Sequence, residues 1–208
     1  MSRIKKLSLF LVFTLIFGVI AYFHESRVGK WIDTEVYEFI YASESFITTA
    51  LMLGFTQVGE VLSMVILSLI MITILMLYKL EFHTLFLIVA MLASSILIPV
   101  TKKSFDRERP SLLRLIDITG FSFPSGHAMG STIFFGSMMT LVKNSGLHNK
   151  GILYALCGFF ILMISSSRVY LGVHYPTDVI AGIVAGTAVV VATALIFHKK
   201  LDTWHISG

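Results

Sequence analysis

Three polar segments interrupt an apolar chain, and their residue types suit phosphate chemistry. The first runs from Lys102 to Arg109 and Pro110. The second is Pro124-Ser125-Gly126-His127. The third starts at Ser167-Arg168 and ends at His174-Tyr-Pro-Thr-Asp178. Lys102, Arg109 and Arg168 supply cations: arginine forks match phosphate oxygens bidentately, and lysine adds a point charge. Ser125 and Gly126 stand just before an apolar run that reads as a helix. Exposed N–H groups at such a start favour an anion, and glycine lets the backbone come close. Pro176 suits the first turn of a further helix, which places Asp178 in that turn and His174 just before it. The carboxylate then reaches back to one imidazole nitrogen, fixes the tautomer and leaves the other nitrogen free to attack. His127 remains to protonate a displaced alkoxide and then to activate water.

This set asks for no metal and no other cofactor. The three cations would do the electrostatic work on the equatorial oxygens. The segments also lack the carboxylate cluster that a two-metal phosphatase requires.

The patterns Lys102-x6-Arg109-Pro110, Pro124-Ser125-Gly126-His127 and Ser167-Arg168-x5-His174-x3-Asp178 resemble the three signature motifs of the type 2 phosphatidic acid phosphatase superfamily, with every fixed position present and in order. That superfamily contains lipid phosphate phosphatases and vanadium haloperoxidases. The small size is similar to its bacterial members that act on phosphatidylglycerophosphate or undecaprenyl pyrophosphate. The resemblance implies a nucleophilic His174, Asp178 as its partner, His127 as the acid, and phosphate binding by Lys102, Arg109, Ser125, Gly126 and Arg168. Lys103 lacks the family spacing and receives no role.

The elements that must position these residues are membrane helices. The 208 residues are 56% hydrophobic and 13% charged, about half the charged share of an average soluble domain. A transmembrane helix needs roughly 20 apolar residues. Six runs qualify or nearly do: Leu7–Phe23, Val61–Tyr78, Thr84–Val100, Ala128–Val142, Gly151–Ser166 and Val179–Phe197. The expected architecture is a single all-α domain over residues 1–208, a bundle of six transmembrane helices. The first run follows Arg3, Lys5 and Lys6 and reads as a retained anchor, since no small-residue cleavage site follows it. Lysines and arginines divide evenly between the two sets of loops. Once Lys102, Arg109 and Arg168 are set aside for chemistry, the balance favours both termini inside. All three polar segments then face the outer side of a bacterial plasma membrane.

Between the first two runs, Ile32, Val36, Phe39 and Ile40 recur at helical spacing, with Asp33, Glu35 and Glu38 between them. This predicts an amphipathic helix in the outer interface. Gly182 and Gly186 permit close helix packing, within the monomer by default. Cys157 reads as a small packing residue. His24, His83, His148, His198 and His205 read as solvated, Glu60 as a solvated helix end, and Trp204 as an inner anchor or part of a loose tail. Asp106, Glu108 and Asp117 receive no chemistry.

The net charge of +4 lies at helix ends and in the polar cluster, which offers no face for nucleic acid. The expected partners are the bilayer and a lipid phosphate, whether phosphatidylglycerophosphate, undecaprenyl pyrophosphate or phosphatidate. Phosphate transfer to a second lipid would use the same site. A transporter is the reading from another class, but no polar path crosses the predicted helices.

Overall fold

The computed structural model describes residues 2–111, 114–143, 145 and 148–201. Trp204 and His205 lie outside the described residues. Within them every regular element is an α-helix: α1 (Arg3–Phe23), α2 (Arg27–Tyr41), α3 (Phe46–Val58), α4 (Val61–Leu77), α5 (Glu81–Phe105), α6 (Gly126–Val142), α7 (Lys150–Tyr170) and α8 (Pro176–Ile196). The all-α expectation holds. Four helices, α1, α5, α7 and α8, are long and apolar enough to cross a membrane, and α4 is a shorter apolar helix.

The six apolar runs correspond to α1 and α4–α8. Two of these helices outrun their apolar stretch. α5 continues to Phe105 and so carries Lys102, while α7 continues to Tyr170 and carries Arg168. α3 was not expected. Its 13 residues are too few to span and include Thr48, Thr49, Thr56 and Gln57, so the sequence reads as a connection. α2 and α3 form a pair bent by 118°.

α6 is the centre of the bundle, packed by α5, α7 and α8. Nearly its whole surface is buried, from Ala128 through Leu141, so it needs no polar face. Gly182 and Gly186 set the α6–α8 distance. A Cβ at Gly182 would stand 2.7 Å from the Ser125 carbonyl oxygen, and one at Gly186 would stand 2.8 Å from that of Met129. The glycine pair therefore packs within the monomer. On the outside, Leu11, Leu15, Leu62, Leu69, Leu92 and Leu162 are exposed. Lipid is the solvent in which such surfaces are stable. Cys157 is half-buried against the core.

Two histidines expected to be solvated are not, and one carboxylate of α2 turns inward. His83, in the first turn of α5, is only 2% exposed. His24 caps the C-terminus of α1 and stacks on Phe123, with ring centroids 4.5 Å apart. Asp33 is buried on the inner side of α2. All three sit at helix ends or on a polar stripe, where sequence alone predicts water. His148 is exposed, as expected, and His198 is half-buried.

Candidate active site

Alternation of helix direction brings four termini together. The C-terminal ends of α5 and α7 meet the N-terminal ends of α6 and α8, and each carries part of a polar segment. Ser125 fastens the second segment to the third: its N–H donates to the Asp178 carbonyl at 3.0 Å, and its hydroxyl accepts the Ala128 N–H as the cap of α6. That N–H is therefore spent on the fold. What Ser125 can still offer an anion is its hydroxyl hydrogen.

His174 lies in the turn between α7 and α8. Gly172, at φ +68°, permits the reversal, and the His174 N–H donates to the Arg168 carbonyl at 3.2 Å. Its ring faces two ways. Nε2 is 3.2 Å from an Arg109 Nη1 that also donates to the Val173 carbonyl at 2.8 Å. Nδ1 is 3.5 Å from Asp178 Oδ2, longer than a good hydrogen bond. Ser122 fills the gap. Its hydroxyl donates to Asp178 Oδ2 at 2.5 Å and stands 3.2 Å from His174 Nδ1, whose N–H it can accept. Burial pushes the imidazole down to about 4, against the raising pull of Asp178. The ring is thus neutral near pH 7.

Arg109 is braced by the Gly120 and Thr119 carbonyls. Its burial, and the nearby Arg114, lower its hold on a proton against the pull of Asp178. Arg168 is buried and donates to the Thr56 hydroxyl on α3, while its Nε is buried with no partner among the described residues. Lys102 donates from Nζ to the Phe121 carbonyl at 3.0 Å. A Cβ on Gly126 would stand 3.7 Å from Lys102 Cε and 3.3 Å from Ile98, so the bare backbone keeps that wall open. His127, just inside α6, points Nε2 at Glu60 Oε1 at 3.2 Å. Gly59 makes room for the ring, since a Cβ there would fall 2.8 Å from His127 Cδ2. His174, Arg168, Lys102 and Arg109 are all electrostatic neighbours of His127.

All eight residues singled out from sequence are therefore at one end of the bundle. Four others belong with them. Ser122 bridges His174 and Asp178. Glu60, half-exposed as a helix end should be, also touches His127. Arg107 donates to Asp178 Oδ1 at 2.5 Å and to Asp33 Oδ2 at 2.7 Å. Asp33 in turn accepts the Thr177 N–H at 2.8 Å. Burial alone would lower the Arg107 guanidinium, but the Asp178 and Asp33 carboxylates more than offset it and raise its affinity for the proton. Only Arg107 carried a sequence signal, as an extra arginine inside the first segment. Beside this network a cavity of about 840 Å³ opens to His174, walled by Lys30, Asp33, Tyr37 and Tyr41 of α2 and by Arg107 and Tyr175.

Known proteins resemble this chain in sequence and in fold. The chain is 37% identical over 90 residues to phosphatidylglycerophosphatase B of Bacillus subtilis (strain 168), a match covering 42% of this chain and 44% of that protein. It is 37% identical over 87 residues to the undecaprenyl-diphosphatase of Sulfolobus acidocaldarius, covering 41% and 38%. The chain thus spans less than half the length of either relative. The crystal structure of the transmembrane PAP2 type phosphatidylglycerolphosphate phosphatase from Bacillus subtilis superposes with a TM-score of 0.85 over 94% of this chain and 98% of that one, at 24% identity. At that identity the likeness is one of fold. The model of the PAP2 superfamily matches residues 83–202, more than half of the chain and all three polar segments, so the chain belongs to the PAP2 superfamily.

Proposed function

We propose that this chain is an integral membrane phosphatase that removes phosphate from a lipid phosphate or pyrophosphate through a phosphohistidine and without a metal. The observation that carries this reading is the orientation of His174. Nδ1 is held by Ser122 and Asp178, and Nε2 is directed at Arg109. In the first step Nε2 attacks phosphorus, the N–P bond forms and the bond to the lipid oxygen breaks. Lys102, Arg109 and Arg168 hold the equatorial oxygens, with Ser125 and Gly126 beside them. His127 gives its proton to the departing oxygen. In the second step His127 takes a proton from water, the hydroxide displaces Nε2 from phosphorus, and phosphate leaves. A protonated His127 among three cations needs a counter-charge, and Glu60 supplies one. Lipid substrates are supported by the apolar outer surface of the helices and by the names of the phosphatidylglycerophosphatase and undecaprenyl-diphosphatase relatives.

The same reading places six spans, α1 and α4–α8, in a plasma membrane with both termini inside. α1 ends at His24, which stacks on Phe123, and α4 begins at Glu60, which touches His127. Both points are at the site end of the bundle. The bent α2–α3 pair therefore leaves and returns on one side, which supports an interfacial position rather than a crossing. The site then faces outward, and the lipid enters sideways from the outer leaflet.

The test is phosphate release by the purified protein in detergent, from phosphatidylglycerophosphate and undecaprenyl pyrophosphate, with excess chelator. We expect turnover that resists chelation and is lost in His174→Ala. Activity abolished by chelator sinks the metal-free mechanism. Soluble phosphate esters far outperforming both lipids would remove the lipid assignment.

A further inference from the structure

We propose that Arg107 and Asp33 are positioning residues, a buried chain through which the α2 helix holds the carboxylate partner of the nucleophile. The inference rests on the proposed histidine mechanism and adds to it two residues that are not fixed positions of the three motifs.

The geometry has three links. Asp178 uses its two oxygens separately. Oδ2 receives the Ser122 hydroxyl and the Tyr175 N–H, at 2.5 and 2.9 Å, and faces His174. Oδ1 receives Arg107 Nη1 at 2.5 Å. Arg107 thus sets the rotation of the carboxylate about its own axis. The Arg107 carbonyl also accepts the Ser122 N–H at 2.7 Å, so the same residue holds the bridging serine by its backbone. Tyr175 covers the guanidinium face, with the ring centroid 4.0 Å from Cζ.

Asp33 is the second link. Its Oδ2 accepts from Arg107 Nη2 at 2.7 Å and from the Thr177 hydroxyl at 3.1 Å. Its Oδ1 accepts the Thr177 N–H at 2.8 Å. Thr177 is the second residue of α8, so Asp33 satisfies one of the open N–H groups of that helix from another element. Arg107 and Asp33 are each 6% exposed and Asp178 is fully buried. Two carboxylates and one guanidinium so nearly buried serve as one another's charge partners. Removing one leaves its neighbour buried and uncompensated.

The third link is α2 itself. Asp33 is buried on it, while Trp31 and Phe39 are exposed. An amphipathic helix with one inward carboxylate tied to the site is more than an anchor. Its seating fixes Asp178 and, through Asp178 and Ser122, the ring of His174.

The experiment compares Asp33→Asn, Arg107→Gln and Arg107→Lys with the wild type and with Glu108→Gln, an exposed charge in the same loop. Two readouts are taken in detergent. One is the ¹⁵N resonance pair of His174, which reports its tautomer and hydrogen bonding without any substrate. The other is kcat and KM on whichever lipid phosphate the wild type turns over. We expect the His174 Nδ1 signal to shift in Asp33→Asn and Arg107→Gln. We expect kcat to fall about 10- to 100-fold, the range for residues that support a reacting group from behind. KM should stay near its wild-type value, Arg107→Lys should recover part of kcat, and Glu108→Gln should change neither readout. An unmoved His174 signal in both Asp33→Asn and Arg107→Gln overturns the inference. Should Arg107→Gln fail to fold, the nearly isosteric Asp33→Asn decides alone. A wild type inactive on every lipid tried would count against the proposed function, while the His174 signal still settles the role of the chain.

Discussion

Ser122 changes what the His174–Asp178 pair requires of its surroundings. At 3.5 Å the direct Nδ1–Oδ2 contact is weak, and the hydroxyl that joins them is the short link. Ser122→Ala should therefore lower kcat about tenfold, less than Asp178→Ala and with little change in KM; an unchanged kcat would show that the direct contact suffices. Acid should act on the same ring. Burial holds His174 neutral down to about 4, and a protonated Nε2 cannot attack. The acid limb of kcat/KM, which reports the free enzyme, should therefore lie well below the ordinary histidine value of about 6.5, once the ionisation of the substrate phosphate is allowed for. The linkage to stability has a definite sign. The folded value is depressed, so the unfolded chain binds the extra proton between about 6.5 and 4, and His174 destabilises the fold as pH falls through that window. A limb at 6.5 would mean that the ring is solvated in the working enzyme. Six of the eight motif residues were legible because charged residues and histidines are scarce in an apolar chain, and Ser125 and Gly126 because they stand beside His127 at the start of an apolar run. Ser122, Asp33 and Glu60 were not, because a lone serine or carboxylate at a helix end reads as solvated until the fold brings its partner near.

Helices carry these residues by their ends, so the spacing between helices fixes the site. The apolar helices α1 and α4–α8 were legible from runs of apolar residues, but α3 was not, since thirteen residues with three threonines do not form an apolar run of that length. Its contribution is Thr56, which holds Arg168 from a distance in sequence that no motif covers. Close packing by α8 was legible in Gly182 and Gly186, although neither its partner α6 nor its consequence was. Ser125 N–H meets the Asp178 carbonyl only while the two helices nearly touch. Gly182→Val should push them apart, because its Cβ would meet backbone oxygen rather than a side chain that can turn away. We expect a loss of about 1–3 kcal/mol, read as a lower melting temperature in detergent, together with reduced kcat. Gly151→Ala, with open space at its Cβ, should leave both unchanged. Equal effects of the two substitutions would remove the close-packing argument.

At the scale of the molecule, charge counting gave only a modest vote on orientation, and only with the three cations of the proposed site set aside. The fold makes the orientation testable. The connection after α5 and the connection between α6 and α7 lie at opposite ends of α6, so a probe that cannot cross the membrane must distinguish them. Ser111, in the first connection, and His148, in the second, are both exposed. In a Cys157→Ser background, Ser111→Cys and His148→Cys each provide a single thiol. With the site facing outward, an impermeant maleimide added to intact cells should label Ser111→Cys and spare His148→Cys until the membrane is permeabilised. The reverse pattern would place the site inside and restrict the substrate to lipids of the inner leaflet. Labelling of both in intact cells would mean that fewer than six helices cross. The outcome also bears on α2. If Ser111 is outside, so is the helix whose Asp33 reaches Arg107 in the same loop, and its exposed Trp31 and Phe39 then lie in the outer interface, where a lipid headgroup approaches the cavity beside His174.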